Sequence, residues 1–544
     1  MTKVLVIGID GGTFDLIEPW SKEGHLPNIS YLMENGSFGE LKSTPLPLTG
    51  PSWSSFITGK NPGKHGIYDF VKVTSDYRMT PITSKNIDSD TIFDIISANN
   101  KKIISINVPI TYPPFKVHGY MVSGMPAFDL RDDITYPKDL ASTLPKNYKI
   151  LPKTVYNGRN EEEILSELYE ILDVQSKVVM DFIREDWDIF ITVFFVTDVV
   201  SHWFWKYYDK SHPLYKKDSG KYKRAILDIY KAVDECIGKM LKKIDRSTYV
   251  VVMSDHGFGP LHGDIFINNW LAKKSYLKFK RNPLTQFKLL LHKLGWTMEN
   301  VYKIIQKLGL ANSTVTVSDE TRQFLLKFFL SFSDVDWSRT KAFSMANFGP
   351  IYINLKGKMK FGAVNPGTEY KTLVDKIKKE LYEIKDDNGD NLIEKVYTKE
   401  ELFNGKHSDE APDIIYIPKD MKYTANRYFE FASNKLIGKP HRDMSGDHRY
   451  NGIFIAAGRG IKRNFRFSGA KIYDIAPTIL YLMGLKIPED MDGRVLSEIF
   501  ENKIEYNKER KYNSIKRKSS ALSECESIED KIKERLRNLG YIGG

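Results

Sequence analysis

The sequence predicts an α/β protein with a mostly parallel central sheet. Three observations carry that expectation. Short, continuous apolar runs recur at Val4–Ile9, Ile103–Val108, Ile189–Val196 and Tyr249–Met253. Stretches with helical spacing lie between them, as at Glu161–Glu185 and Lys221–Ile244. Acidic and histidine residues stand just beyond the ends of the runs rather than inside them. A strand covered on both faces reads as an unbroken apolar run, and alternation with helices supplies the crossovers of a parallel sheet.

The first run, V-L-V-I-G-I, follows a single lysine and leads straight into Asp10-Gly11-Gly12. It is too short for a secretory leader or a membrane span, and no apolar run approaches the ~20 residues a spanning helix needs. The expectation is a soluble, cytoplasmic protein, able to sit peripherally at a membrane. The two cysteines, Cys236 and Cys525, are far apart and in unlike contexts, which argues against a disulfide framework or a cysteine-held metal. The 544 residues exceed one ordinary compact domain, and 41% hydrophobic content supports a large core. One α/β core, from 1–270 and 346–500, is expected to carry a basic, mostly helical insertion at 271–345. A charged tail at 501–544 follows, with a short helix near Glu529–Leu539.

Residues 271–345 break the alternation. Leu284–Leu310 has helical spacing of apolar residues with interleaved lysines. From Lys273 to Lys341 there are 13 basic and 5 acidic residues, an excess of 13 − 5 = 8 within a whole-chain surplus of +11. The plain reading is a helix pair packed on the core with its lysines in water. The sharper reading is a surface for an anionic membrane or another polyanion. Beyond 346, the strand signals I-Y-I-N-L, D-I-I-Y-I and G-I-F-I-A-A-G return. Between them Ile384–Glu394 is turn-rich but lacks the glutamate spacing of a calcium loop. No nucleic-acid-binding motif is present, and charge alone does not supply one.

The chemistry sits at the strand ends. Asp10 closes the first run; Asp198 and His202 follow the third; Asp255 and His256 follow the fourth; His448 lies late, in S-G-D-H-R. Open α/β sheets bind ligands outside the carboxyl ends of their strands. Three carboxylates and three imidazoles gathered there suit two divalent cations. Thr49, in P-L-T-G-P-S-W-S-S-F-I-T-G, offers a hydroxyl nucleophile. Singly, each residue has a plain structural explanation: a turn cap for Asp10, a turn hydroxyl for Thr49, a helical i,i+4 pair for Asp198 and His202. The ordered set is harder to explain that way.

The motifs I-D-G-G, T-G-P-S-W-S-S-F-I-T-G-K-N-P-G-K-H-G-I, D-V-V-S-H, S-D-H-G-F-G and G-D-H, in that order, resemble the type I phosphodiesterase/nucleotide pyrophosphatase family of the alkaline phosphatase superfamily. The resemblance covers most of 1–270 and resumes over about 346–500. It implies an alkaline-phosphatase-like three-layer core and a metal-dependent phosphodiesterase. It also implies Thr49 as nucleophile, forming a covalent phosphate ester. By motif, Asp10, Asp255, His256 and Thr49 would hold one metal, and Asp198, His202 and His448 the other. Zinc suits this ligand set, with manganese as the competitor. Ser52, His262 and Asn268 are the candidate substrate contacts, His65 a supporting residue, and Asp447 an orienting residue beside His448. The chain departs from the nucleotide-hydrolysing members at Gly50, Pro51, Ser52 and Trp53, which leaves the substrate open among phosphorylated small molecules and lipid-linked phosphates. The alternatives are a phosphomonoesterase or phosphomutase of the same superfamily, or a membrane- or polyanion-docking protein on the same fold.

Overall fold

The computed structural model describes residues 2–129, 133–158, 160–215, 217, 220–307, 327–386, 388–425, 431–440, 443–515 and 532–533. Nine strands form the central sheet: β1 (Val4–Ile9), β2 (Gly36–Lys42), β3 (Ile103–Val108), β4 (Gly119–Ser123), β5 (Thr135–Tyr136), β6 (Ile189–Phe194), β7 (Tyr249–Met253), β8 (Asn451–Ala457) and β9 (Phe465–Lys471). Their spatial order is β9-β2-β8-β7-β1-β6-β3-β4-β5. All run parallel except β8, antiparallel to both neighbours, and β5, antiparallel to β4. Strands β1, β3 and β6 are buried at every position. That burial explains their unbroken apolar sequences: the sheet centre is the middle of three layers. Helices Glu161–Phe182 and Ala225–Leu241 occupy the stretches whose spacing predicts them.

The arrangement of β7, β1 and β6 decides where the chemistry lies. They are adjacent and parallel, with Gly8 opposite Met253 and Ile9 opposite Phe194. Their carboxyl ends are therefore level, and the residues that follow all emerge at one edge. The Asp10 N–H donates to the Phe194 carbonyl at 3.1 Å, continuing the ladder one step past the strand.

A second apolar cluster stands apart from the sheet's core. It joins Ile265, Trp270, Leu271, Leu277, Phe343, Ile351, Ile377, Ile414 and Phe431. Its centre is a four-stranded antiparallel sheet in the order Ala342–Ser344, Ile351–Ile353, Ile414–Pro418, Ile393–Thr398. Helix Thr368–Leu381 contributes Leu373, Ile377 and Leu381, one residue per turn on one face. The boundary expected at 345 thus falls inside this packing unit. The strands I-Y-I and I-I-Y-I pair with each other, and only G-I-F-I-A-A-G enters the central sheet, as β8. An apolar run states that a strand is buried but not which sheet buries it. The insertion's own helices are Pro283–Lys293 and Met298–Lys307. Of the helix expected near Glu529–Leu539, Ile532 and Lys533 are helical; the rest, like Cys525, lies outside the described residues.

Candidate active site

Seven predicted residues meet at the edge formed by β7, β1 and β6. Asp10 leaves β1, Asp198 enters the first turn of helix Val196–Tyr208, and Asp255-His256 leave β7. His202 stands one turn beyond Asp198 on the same helix face. His448 arrives on strand Gly446–Arg449, which pairs with Gly257–Pro260 so that Phe258 faces His448. Thr49 is the first residue of helix Thr49–Thr58, and all ten residues of that helix are buried. Two glycines let these segments close. A Cβ at Gly8 would lie 2.5 Å from Trp53 Cη2, and one at Gly11, whose φ is +67°, would lie 2.9 Å from Phe258 Cδ2.

Three groups within the cluster bring their ligand atoms within 4.8 Å of one another: Asp10-Asp255-His256, Asp198-His256-His448 and His202-Asp447-His448. His256 Nε2 lies 3.2 Å from Asp255 Oδ2 and 3.6 Å from Asp10 Oδ1. Asp198 Oδ1 lies 3.2 Å from His448 Nε2 and 3.5 Å from His202 Nε2. The His256 and His448 rings stack at 3.6 Å and join the two halves. Thr49 Oγ1 is 3.4 Å from His256 Nε2.

Hydrogen bonding fixes the protons on the imidazoles. Nδ1 of His202 faces the Gly446 carbonyl at 2.9 Å, Nδ1 of His256 the Gly257 carbonyl at 3.0 Å, and Nδ1 of His448 the Pro47 carbonyl at 2.7 Å. A carbonyl only accepts, so each Nδ1 carries a hydrogen and each Nε2 is turned into the cluster. His202 Nε2 and His448 Nε2 then sit 3.1 Å apart with no proton assigned between them. Among the described residues, no donor reaches the buried Asp10 Oδ1 or Asp255 Oδ2. Burial, then the neighbouring Asp255 and Asp198, push Asp10 well above the ordinary carboxylate range. Burial also lifts Asp255 to about 7 and drives His256 well below its usual value. For Asp198, burial works the other way from the His202 and His448 imidazoles, which outweigh it and hold it at about 2. Converging imidazole nitrogens and buried carboxylate oxygens of this kind fit divalent cations.

The profile of the family described as type I phosphodiesterase / nucleotide pyrophosphatase matches residues 4–451. The chain belongs to that family. As a family member it is a phosphoryl hydrolase of the alkaline phosphatase superfamily. Its fold is similar to that of phosphonoacetate hydrolase from Sinorhizobium meliloti 1021, solved with phosphonoformate, at 13% identity and a TM-score of 0.50, covering 89% of this chain and 95% of that one. Human ectonucleotide pyrophosphatase / phosphodiesterase 5 aligns at 14% identity and a TM-score of 0.48, covering 92% of this chain and 100% of that one. Wild-type alkaline phosphatase PafA aligns at 15% identity and a TM-score of 0.47, covering 91% and 98%. Among curated proteins no sequence match is found.

In this phosphodiesterase-family chain the remaining sequence candidates lie elsewhere in the hydrogen-bond network. Ser52 Oγ is bound into a hydroxyl cluster with Ser43 at 2.8 Å and Thr44 at 3.0 Å, and Ser43 in turn donates to the Asp255 carbonyl. Asn268 uses both ends of its amide on the Ser344 backbone, tying helix Ile267–Lys273 to strand Ala342–Ser344. His262 packs against His212 and Tyr423, and burial lowers it to about 4. His65 donates from Nε2 to Ser55 and accepts the Ile67 N–H on Nδ1, which makes it a buried brace for helix Thr49–Thr58. Its neutrality, with a value near 3, comes chiefly from burial.

Sequence reasoning missed several contributors. Trp53 Nε1 donates to Asp10 Oδ2 at 3.0 Å, orienting the carboxylate so that Oδ1 is the inward oxygen. Asp447, which the sequence offered as an orienting residue beside His448, was not missed and falls within the ligand cluster with His202 and His448. Lys206, one turn beyond His202, is fully buried; its ammonium donates to Tyr156 Oη and to the Asp443 carbonyl, just ahead of the His448 strand. Asn347 donates from both its backbone and side-chain nitrogens to Asp69, whose carbonyl abuts Gly50. The i,i+4,i+8 spacing of Asp198, His202 and Lys206 is a signal that was available; the Asn347 contact has none, since 278 residues separate the partners.

Proposed function

We propose that the chain hydrolyses phosphodiesters by double displacement through Thr49. Asp10, Asp255, His256 and Thr49 hold one divalent cation, and Asp198, His202 and His448 a second, zinc being favoured by the imidazole-rich set and manganese the competitor. When bound, the cations neutralise the phosphoryl oxygens and lower the pKa of the threonine hydroxyl. Thr49 Oγ attacks phosphorus and gives up its proton; the ester alcohol leaves and takes a proton. Water then cleaves the Thr49 phosphate ester and restores the hydroxyl. Helix Thr49–Thr58, sealed in the core, keeps the nucleophile from wandering. Trp53 fixes Asp10, and the Gly446, Gly257 and Pro47 carbonyls fix the rings.

The observation that carries this reading is Thr49 Oγ1 beside His256 Nε2, next to a buried cluster of carboxylates and imidazoles whose ligand atoms converge. The test compares bis-p-nitrophenyl phosphate with p-nitrophenyl phosphate on metal-stripped protein, with zinc or manganese added back. Diester turnover should return with metal, and Thr49→Ala should abolish it while metal binding survives. An active Thr49→Ala protein would remove the nucleophile assignment, and monoester preference would move the substrate to phosphomonoesters.

A further inference from the structure

Helix Pro283–Lys293 is packed the wrong way round for a soluble protein. At 100° per residue, Leu284, Phe287, Leu290, Leu291 and Leu294 fall on one arc. Leu284, Phe287, Leu290 and Leu294 on that arc are 61%, 53%, 54% and 74% exposed. The other side turns inward with two polar residues beside one apolar residue, Leu289, half-buried against the second apolar cluster. Thr285 and Lys288 are buried there, and both bind the buried Asp334. Trp296, just beyond the helix, and Ile304 on the next helix are also about half exposed. An ordinary surface helix buries its apolar arc and wets its polar one. Contiguous exposed apolar surface of this kind marks a docking face.

The flanking charge says what docks. Residues 271–307 carry nine basic side chains and one acidic one, Glu299. Arg281 precedes the helix and Lys293 closes it; both are exposed, and neither has a carboxylate partner among the described residues. Large aliphatic and aromatic side chains bounded by unpaired cations are complementary to an anionic bilayer surface. No described helix is long and apolar enough to cross a membrane, so the contact is along the surface. We infer that the apolar arc of Pro283–Lys293, with Trp296, seats this chain on anionic phospholipid bilayers. The cost of the inversion is met by the Lys288–Asp334 pair, which holds the polar arc against the protein.

The experiment is flotation of the full chain with vesicles of phosphatidylcholine alone and of phosphatidylcholine mixed with phosphatidylserine. Wild type is compared with the Phe287→Ser/Leu290→Ser double variant and with Arg281→Ser/Lys293→Ser. Thermal unfolding confirms that each variant is folded, which exposed positions permit. Wild type should float with the mixed vesicles. The apolar double variant should bind at least roughly tenfold more weakly, the loss expected from withdrawing two large side chains. The charge variant should lose the preference for phosphatidylserine, and salt should weaken wild-type binding. Failure of wild type to float, or equal flotation of wild type and Phe287→Ser/Leu290→Ser, overturns the inference. So does a wild-type dimer in solution that the same double variant dissociates, which would make a second copy the occupant. Binding that appears only after residues 308–326 are deleted would assign the face to the chain's own segment instead.

Discussion

Trp53→Phe separates the proposed metal site from the fold that surrounds it. The substitution keeps an aromatic ring in the buried helix Thr49–Thr58 but deletes the N–H that donates to Asp10 Oδ2 at 3.0 Å. The loss differs between two states. Without metal, burial and the neighbouring carboxylates favour a protonated Asp10, so the bond removed is an ordinary one worth about 0.5–1.5 kcal/mol. With metal, Asp10 is a carboxylate, and the bond removed is to a charge, worth about 1.5–3 kcal/mol. The difference, about 1–1.5 kcal/mol, falls on metal affinity and corresponds to roughly 5- to 15-fold weaker binding. The assay is competition for zinc against a chelating indicator, on stripped wild-type and Trp53→Phe protein, with thermal unfolding of both metal-free forms as the fold check. Affinity within about twofold of wild type, in a folded variant, would show that the indole does not set the orientation of Asp10.

Other expectations come from the same geometry. Burial raises Asp255 from 3.8 to about 7. The native metal-free protein therefore binds a proton that the unfolded chain releases, and its stability should fall as pH rises from about 4 to about 7. Asp255→Asn should lessen that slope in thermal unfolding of stripped protein, the raised Asp10 keeping a part of it, and an unchanged slope would refute the assignment. Gly8→Ala forces a methyl into Trp53 Cη2 and Val193 Cγ2 and should cost about 1–3 kcal/mol in denaturant unfolding. Trp53→Phe should relieve part of that cost in a double-mutant cycle, because the clashing ring edge is gone. Lys206→Met leaves Tyr156 Oη and the Asp443 carbonyl without their donor. It should lower the unfolding temperature and weaken metal retention together; a loss of stability with metal affinity unchanged would mean that the Asp443 contact does not position His448.

How much of this was legible in the chain follows from how each feature is encoded. Val4–Ile9, Ile103–Val108 and Tyr249–Met253 match their expected limits because full burial on both faces writes itself as an unbroken apolar run. Asp10, Asp198, Asp255 and His256 were legible because each stands just past a strand's end, and parallel strands deliver their ends to one edge whatever their order. The strand order itself was not written locally. That β1 lies between β6 and β7, making Asp10 the neighbour of both Asp198 and Asp255, depends on pairing between segments about 180 to 245 residues apart. The same limit hid the second unit, since an apolar strand at 351 or 414 carries no mark of the sheet that will accept it.

Roles set by hydrogen-bond partners were the least legible. Ser52 and Asn268 have the right side chains for binding a substrate, but Ser43 and the Ser344 backbone take up their hydrogen bonds, while His262 meets His212 only edge to face. Trp53 looks like core material and is core material, yet its one polar atom aims Asp10. The sequence alone carried the sheet class, the acidic and histidine residues that gather at one edge, and the basic character of 271–345, all of which are written in local residue types. Only the tertiary structure decided which imidazole nitrogen faces inward, which carboxylate oxygens lack donors and which arc of Pro283–Lys293 faces solvent. Each of those depends on atoms from segments far apart in the chain, and no local pattern contains them.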